Sequence, residues 1–214
     1  MPRRALTLVD TLVVLSIVGL LFGLAAPAAQ SVFRLAVATR CVSNLRQVGA
    51  AALTYADEWD GLLPAKSNFG VDDPERSPAW FDRLPPYVDL PAVGRRTGVF
   101  QCAGFHGAPA PSFVNAMPKS FKMNAYLDAA GRPRHYALGT VSDEASIALF
   151  LDAVAKDTGM GQWGHAPRSA VDDSRHRGRV NVLCLDGHAT ATVALGGTDG
   201  AERGGNVKWV SESW

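Results

Sequence analysis

The sequence predicts an α+β fold in which a long N-terminal helix, transmembrane and then amphipathic, packs on a C-terminal antiparallel β-sheet. Residues 11–33 carry no charge and are long enough to cross a bilayer as a helix. Residues 37–59 continue with an apolar residue at every third or fourth position, which is the spacing of one helix face. Two apolar runs surround Asp186-Gly187 within residues 180–195, and this pattern predicts a hairpin.

The composition narrows the classes of partner. The chain has 214 residues and a net charge of +1. Its basic residues form no patch interleaved with aromatic residues, so we predict no nucleic-acid partner. Three cysteines are too few for a disulfide scaffold, and their spacing matches no zinc pattern. The length suits a single core, or one small domain with an appendage.

The helix is predicted to run for about fifty residues and to leave the membrane partway along. After residue 34 the apolar positions fall on one face: Val37, Cys41, Leu45, Val48, Ala52, Tyr55 and Trp59. The polar residues around them are expected to face water: Arg34, Arg40, Asn44, Arg46 and Gln47. The stretch DEWDG at 57–61 supplies helix breakers, so we expect the helix to end there.

The apolar N-terminal segment allows more than one interpretation. A basic start, an apolar run and the small residues at 26–28 fit a secretion signal that is cut near Ala29. Gly19 and Gly23 fit a plain membrane anchor, because glycines four positions apart let helices approach closely. A helix pattern that continues unbroken past the segment argues against a cleaved secretion signal.

Asp10 favours a third interpretation. A carboxylate at the edge of a bilayer is costly unless a partner such as a free amine neutralises it. Proteolysis between Ala5 and Leu6 would create such an amine. The stretch RRALTLVDTLVVL resembles the type IV prepilin leader, although the usual Gly, Phe and Glu of that leader are Ala5, Leu6 and Asp10 here. Pro27 lies where pilin helices commonly carry a proline.

The C-terminal hairpin carries a second signature. Asp186-Gly187 predicts a two-residue type I′ turn between the first strand and a strand at 188–195. His176 precedes Asp186 by nine intervening residues. The stretch RHRGRVNVLCLDGH resembles the H-x9-DG motif of a planctomycete-type family that pairs it with a prepilin segment. The motif residues are His176, Gly178, Asn181, Asp186, Gly187 and His188.

The region between helix and hairpin is predicted to be mostly loop. Residues 60–145 are rich in Pro, Gly and Asp, so we expect them to form connecting loops and one edge strand. Residues 146–153 are predicted to form a further strand of the sheet, and residues 205–214 an edge strand. Cys41 and Cys102 are a candidate disulfide, which requires that the domain lies outside the cytoplasm, and the alternative is two buried free thiols. Cys184 is expected in the core.

The resemblance implies a pseudopilin, a structural subunit of a type IV pilus or type II secretion-like filament, and not an enzyme. A prepilin peptidase would remove the leader (1–5) and leave an N-methylated Leu6. Residues 6–58 would form the long pilin helix, with about 8–32 in the inner membrane. Residues 59–214 would form the extracytoplasmic domain. The implied partners are other pilin-like subunits, with no cofactor and no metal.

Two rival interpretations remain open. In the first, the chain is a secreted or periplasmic enzyme whose motif binds a divalent metal at the strand ends through His176, His188, Asp152 and Asp186. Against this interpretation, the sequence has no nucleophile motif and no HExxH motif. The motif residues are therefore expected to have structural roles, in which Asp186 forms the turn, His176 bonds a loop and Asn181 holds a strand edge. In the second, the chain is a single-span membrane protein that never polymerises.

Overall fold

In the computed structural model of the protein, the described residues are 7–69, 71, 73, 75–88, 98–105, 120–127, 135–140, 142–154, 164–167, 170–193 and 207–209, without the side chains of 27 and 28. The helices and strands in these ranges are α1 (Leu8–Glu58), α2 (Trp80–Arg83), β1 (Phe121–Asn124), β2 (Ala148–Asp152), β3 (His165–Ala166), β4 (Arg179–Cys184) and β5 (Ala189–Val193). A long apolar helix followed by a sheet is the α+β layout that the sequence predicts.

Helix α1 is continuous and ends within the breaker stretch at 57–61, as predicted. The predicted apolar stripe is buried from Cys41 to Tyr55. Trp59 lies beyond the last helical residue, is 54% exposed and stacks on Tyr55 with ring centroids 5.4 Å apart. The C-terminal part of α1 packs on β4 and β5, so burial of this stripe joins the helix to the sheet.

Asn44 does not face water as the sequence predicts. The residue is buried, and its Nδ2 donates to the carbonyl of Gln101 at 2.8 Å and of Gly98 at 3.2 Å. The prediction is wrong here because two distant carbonyls replace water as partners of the amide. Asn44 thereby joins α1 to the segment 98–105.

The sheet has the order β3-β1-β2-β4-β5. Neighbours pair antiparallel except β1 and β3, which pair parallel, so the sheet is mixed and the purely antiparallel prediction is wrong. Strand β1 was expected at an edge but lies between β2 and β3. All four of its residues are buried, which an inner position explains because both of its neighbours cover it.

The β4–β5 hairpin is present, but its turn differs from the prediction. The Gly187 N–H donates to the carbonyl of Cys184, and the Cys184 N–H donates to the carbonyl of His188, which leaves a three-residue loop. A type I′ turn would need a positive φ at Asp186, whereas Gly187 has it, at 88°. Glycine adopts this left-handed conformation without a steric penalty, so it closes the longer loop.

Both faces of the sheet are covered. Strand β4 shows this, since Leu183 packs in the cluster that includes α1 and Val182 packs in a second cluster on the other face. Trp80 of α2 lies in the first cluster, where its Nε1 donates to the carbonyl of Gly164 at 2.7 Å. In the predicted C-terminal edge, the described residues 207–209 make one parallel bridge, from Lys208 to Ile147.

Substituting Gly49 with alanine is expected to lower the free energy of unfolding by about 1 kcal/mol. An added Cβ would lie 2.7 Å from both δ-carbons of Leu183. Overpacking of a core typically costs about 1–3 kcal/mol, and the better helix propensity of alanine offsets up to about 1 kcal/mol of this. Denaturant unfolding of the detergent-solubilised full-length protein measures the change.

Gly19→Ala is the matched control, because an added Cβ there meets no heavy atom of the described chain within 4 Å. It should leave the unfolding of the domain unchanged. A Gly49→Ala protein that is more stable than the wild type would show that Leu183 moves aside without a penalty and would contradict the packing described here.

Candidate functional site: the exposed helix and the His176 cluster

The first half of α1 exposes an apolar surface that no other described part of the chain covers. Between residues 8 and 35, the large apolar side chains that the structure describes are 40–83% exposed, and an added Cβ at Gly19 or Gly23 would meet nothing within 4 Å. The helix is long and apolar enough to cross a membrane. Because an apolar surface of this size is unfavourable in water, a bilayer or another chain has to cover it.

Asp10 has a local role that the sequence analysis missed. Thr7 is the N-cap of α1, and its N–H and Oγ1 donate to Asp10 Oδ2 at 3.0 and 2.8 Å. The Asp10 N–H donates back to Thr7 Oγ1 at 3.2 Å, which completes a capping box. The spacing Thr7-x-x-Asp10 is the sequence signal for this motif. Ala5 and Leu6 lie outside the described residues, as does the side chain of Pro27.

A disulfide fastens α1 to the domain. Cys41 of α1 is bonded to Cys102 of the segment 98–105, so the disulfide considered from the sequence is present in the structure. The Cys102 N–H donates to Ser120 Oγ at 2.6 Å, next to the start of β1. The disulfide and the Asn44 amide therefore hold the same segment against the helix from neighbouring turns.

His176 lies beside this disulfide. Its Nε2 is 3.3 Å from Cys102 Sγ and 3.4 Å from Asp152 Oδ2 at the end of β2. The side chains of His176 and Asp152 are 5% and 0% exposed. His176 therefore contacts a loop, as expected, through Cys102 of the segment 98–105, and it also contacts a carboxylate at the end of a strand. The residues of this His176 cluster are Cys41, Cys102, Asp152, Asp172, Arg175 and His176.

Arg175 supplies the positive charge of the cluster. Its Nη2 lies 3.4 Å from Asp152 Oδ1 and its Nε lies 3.0 Å from Asp172 Oδ2. The N–H of Asn181 donates to Asp152 Oδ2 at 3.0 Å. Burial raises the pKa of Asp152, whereas Arg175, His176 and the Asn181 N–H favour its charged form and oppose the rise.

The other half of the motif forms a separate, exposed site. Asp186 Oδ1 lies 2.6 Å from His188 Nδ1 and accepts the His188 N–H at 3.1 Å, within the hairpin turn. This turn and His176 are at opposite ends of β4, whose six residues span about 20 Å. The convergence of four metal ligands that the rival enzyme interpretation requires is therefore absent: His176 contacts Asp152, and His188 contacts Asp186.

The remaining motif residues shape the entry into β4. Gly178 has a φ of 76° and follows Arg177, whose φ is 58°, so the chain turns sharply between the 3₁₀ helix Ser174–His176 and the strand. Glycine suits this backbone because it has no Cβ to clash. Asn181, which was expected to hold a strand edge, lies in the inner strand β4, and its backbone N–H donates to Asp152 Oδ2.

Lys122 is a buried cation near the cluster that the sequence analysis did not single out. Burial, assisted by repulsion from Arg175, lowers the pKa of Lys122 to about 8. The unfolded chain keeps its lysine protonated up to about pH 10.4. At this residue the unfolded state therefore binds more protons above pH 8, so Lys122 by itself should raise the free energy of unfolding as pH increases, by up to about 1 kcal/mol between pH 8 and 9.

Lys122→Met should flatten this rise, and Lys208→Met, which replaces a partly exposed lysine, should retain it. Burial also raises the pKa of the Cys184 thiol, to about 12, whereas the unfolded thiol ionises at about pH 8.5, so Cys184 lowers the free energy of unfolding over the same pH range. The lysine variants are therefore compared in a Cys184→Ala background. Denaturant unfolding at each pH measures the free energy of unfolding. If its pH dependence is identical for Lys122→Met and the protein that retains Lys122, the lysine stays protonated in the folded state.

The two sites differ in kind. The first half of α1 offers an apolar surface to an outside partner, whereas the His176 cluster is closed within the domain. Asp10 lies in the first, and the motif residue His176 lies in the second. No protein-family model, curated protein or solved structure matches the chain.

Proposed function

We propose that the chain is a pseudopilin, a structural subunit of a type IV pilus or type II secretion-like filament, and not an enzyme. One observation carries the proposal. A single uninterrupted helix buries its second half on a domain and exposes an apolar first half that nothing else in the described chain covers. Such a helix fits the bilayer before assembly and a bundle of like helices after it.

Asp10 distinguishes a filament subunit from a plain anchor. In the chain as described, Thr7 satisfies the Asp10 carboxylate, so the residue is tolerated before assembly. Cleavage between Ala5 and Leu6 would place a new amine one residue before the helix cap. In the assembled bundle, Asp10 of one subunit neutralises the Leu6 amine of the next and sets the axial register of the helices.

The domain fits an extracytoplasmic location. The disulfide between Cys41 and Cys102 is the kind of bond that persists in oxidising compartments. It ties the domain to α1 just after the apolar segment, so the domain would move with the helix as subunits enter the filament. The proposal therefore places residues 59–214 in the periplasm or at the cell surface.

Mass spectrometry of the mature N-terminus tests the proposal. We expect a chain that starts at Leu6 and carries one methyl group on its amine. Ala5→Leu is the control, because a bulky residue before the cut should leave the leader attached. A start near Ala29 would favour a secreted protein and a start at Met1 a plain anchor, and either result would overturn the proposal.

A further inference from the structure

Three potential metal ligands lie close together in the His176 cluster, and a carboxylate lies beside one of them. The sulfurs of Cys41 and Cys102 and a ring nitrogen of His176 all lie within 4.8 Å of one another. Asp152 Oδ2 is 3.4 Å from the Nε2 of His176. Two sulfurs, one imidazole nitrogen and one carboxylate oxygen are ligand types that tetrahedral Zn²⁺ takes in proteins. In the disulfide form the two sulfurs are bonded to each other and offer no thiolate.

We infer that reduction of the disulfide creates a zinc site whose ligands are Cys41, Cys102, His176 and Asp152. A dithiol reductant supplies two electrons and two protons to the disulfide and is itself oxidised to a disulfide. Zn²⁺ then displaces the two thiol protons, which pass to solvent. Oxidation of the thiolates by a disulfide-bearing oxidant restores the bond and releases the metal.

The charges around the cluster suit a buried zinc ion. Two thiolates and one carboxylate carry three negative charges, and Zn²⁺ leaves a net charge of minus one. The guanidinium of Arg175 lies 3.4 Å from Asp152 Oδ1, and its side chain is 6% exposed. Arg175 also pairs with Asp172, so the guanidinium offsets the charge of the site in part and keeps the Asp152 carboxylate paired, which lowers the cost of burying it.

The carboxylate is also oriented for the metal. Arg175 lies against Oδ1 of Asp152, while Oδ2 faces His176 and accepts the N–H of Asn181. Hydrogen bonds of this kind to a ligand atom fix its direction and tune the metal site. The four proposed ligands come from α1, the segment 98–105, β2 and the 3₁₀ helix before β4, so four separate segments of the fold bring them together. The inference does not depend on the proposed filament function.

Cobalt binding by the reduced full-length protein tests the site. The detergent-solubilised chain is reduced in denaturant and refolded with a chelator, and thiol counting verifies that all three cysteines are reduced before Co²⁺ or Zn²⁺ is added. We expect one metal ion per chain and a thiolate-to-cobalt charge-transfer band. Oxidation to the disulfide should abolish both. A thiol-counted chain that takes up no cobalt, or shows no such band, overturns the inference.

Two motif histidines provide matched variants. His176→Gln should weaken cobalt binding by more than about tenfold, since loss of even an indirect contact to a metal site has an effect of this size. His188→Gln, at the exposed hairpin turn, should bind as the wild type does. Cys184→Ala should retain the charge-transfer band. Equal affinities of the two histidine variants, or uptake by the oxidised protein, would refute the assignment.

Discussion

Asp10→Ala is expected to insert into the inner membrane normally and to lose most contacts between subunits. Removal of one partner from a buried ion pair typically costs about 3–5 kcal/mol, which is more than a hundredfold in an association constant. Membrane insertion depends on the apolar segment, which the substitution does not reduce. Crosslinking of the α1 helices in intact membranes measures association, and membrane fractionation measures insertion.

Thr7→Val provides the control, because Asp10 also stabilises the N-terminus of α1 through the capping box with Thr7. This variant removes the hydroxyl that donates to Asp10 Oδ2 and keeps the carboxylate. Loss of a helix cap costs about 1 kcal/mol, so Thr7→Val should weaken crosslinking far less than Asp10→Ala. Equal losses in the two variants would mean that Asp10 acts only as a cap and would remove the main argument for a neighbouring amine.

Asp152→Ala is expected to lower the free energy of unfolding by about 3–5 kcal/mol in the oxidised protein. The substitution leaves the buried guanidinium of Arg175 with one carboxylate partner, Asp172, instead of two. It also leaves the buried N–H of Asn181 without its acceptor. Chemical denaturation of the detergent-solubilised protein, followed by tryptophan fluorescence, measures the loss.

Asp186→Ala is the matched control, since it removes the aspartate that the motif itself contains. Asp186 is 38% exposed and pairs with a half-exposed His188, and exposed pairs contribute about 0–1 kcal/mol. We therefore expect the aspartate outside the motif to matter more for stability than the one within it. A larger loss for Asp186→Ala would contradict the importance that the structure gives to Asp152.

The sequence predicts the parts of the fold that depend on neighbours along the chain. The stripe on α1 follows from contacts three and four residues apart, and the end of the helix follows from local breakers at 57–61. The hairpin follows from two apolar runs around a glycine. The turn type was predicted wrongly because Asp-Gly fits both a two-residue and a three-residue loop, which differ in which residue takes the positive φ.

The partners of the polar residues depend on the packed fold. His176 and Asp186 share a motif, yet β4 holds them apart because an extended strand adds about 3.3 Å with every residue. Asp152, 24 positions before His176, reaches it instead through the pairing of β2 with β4. Periodicity describes which side of an element faces the core but not what lies opposite. The buried amide of Asn44, the Arg175–Asp152 ion pair and the contact of His176 with Cys102 therefore form only when distant segments pack together.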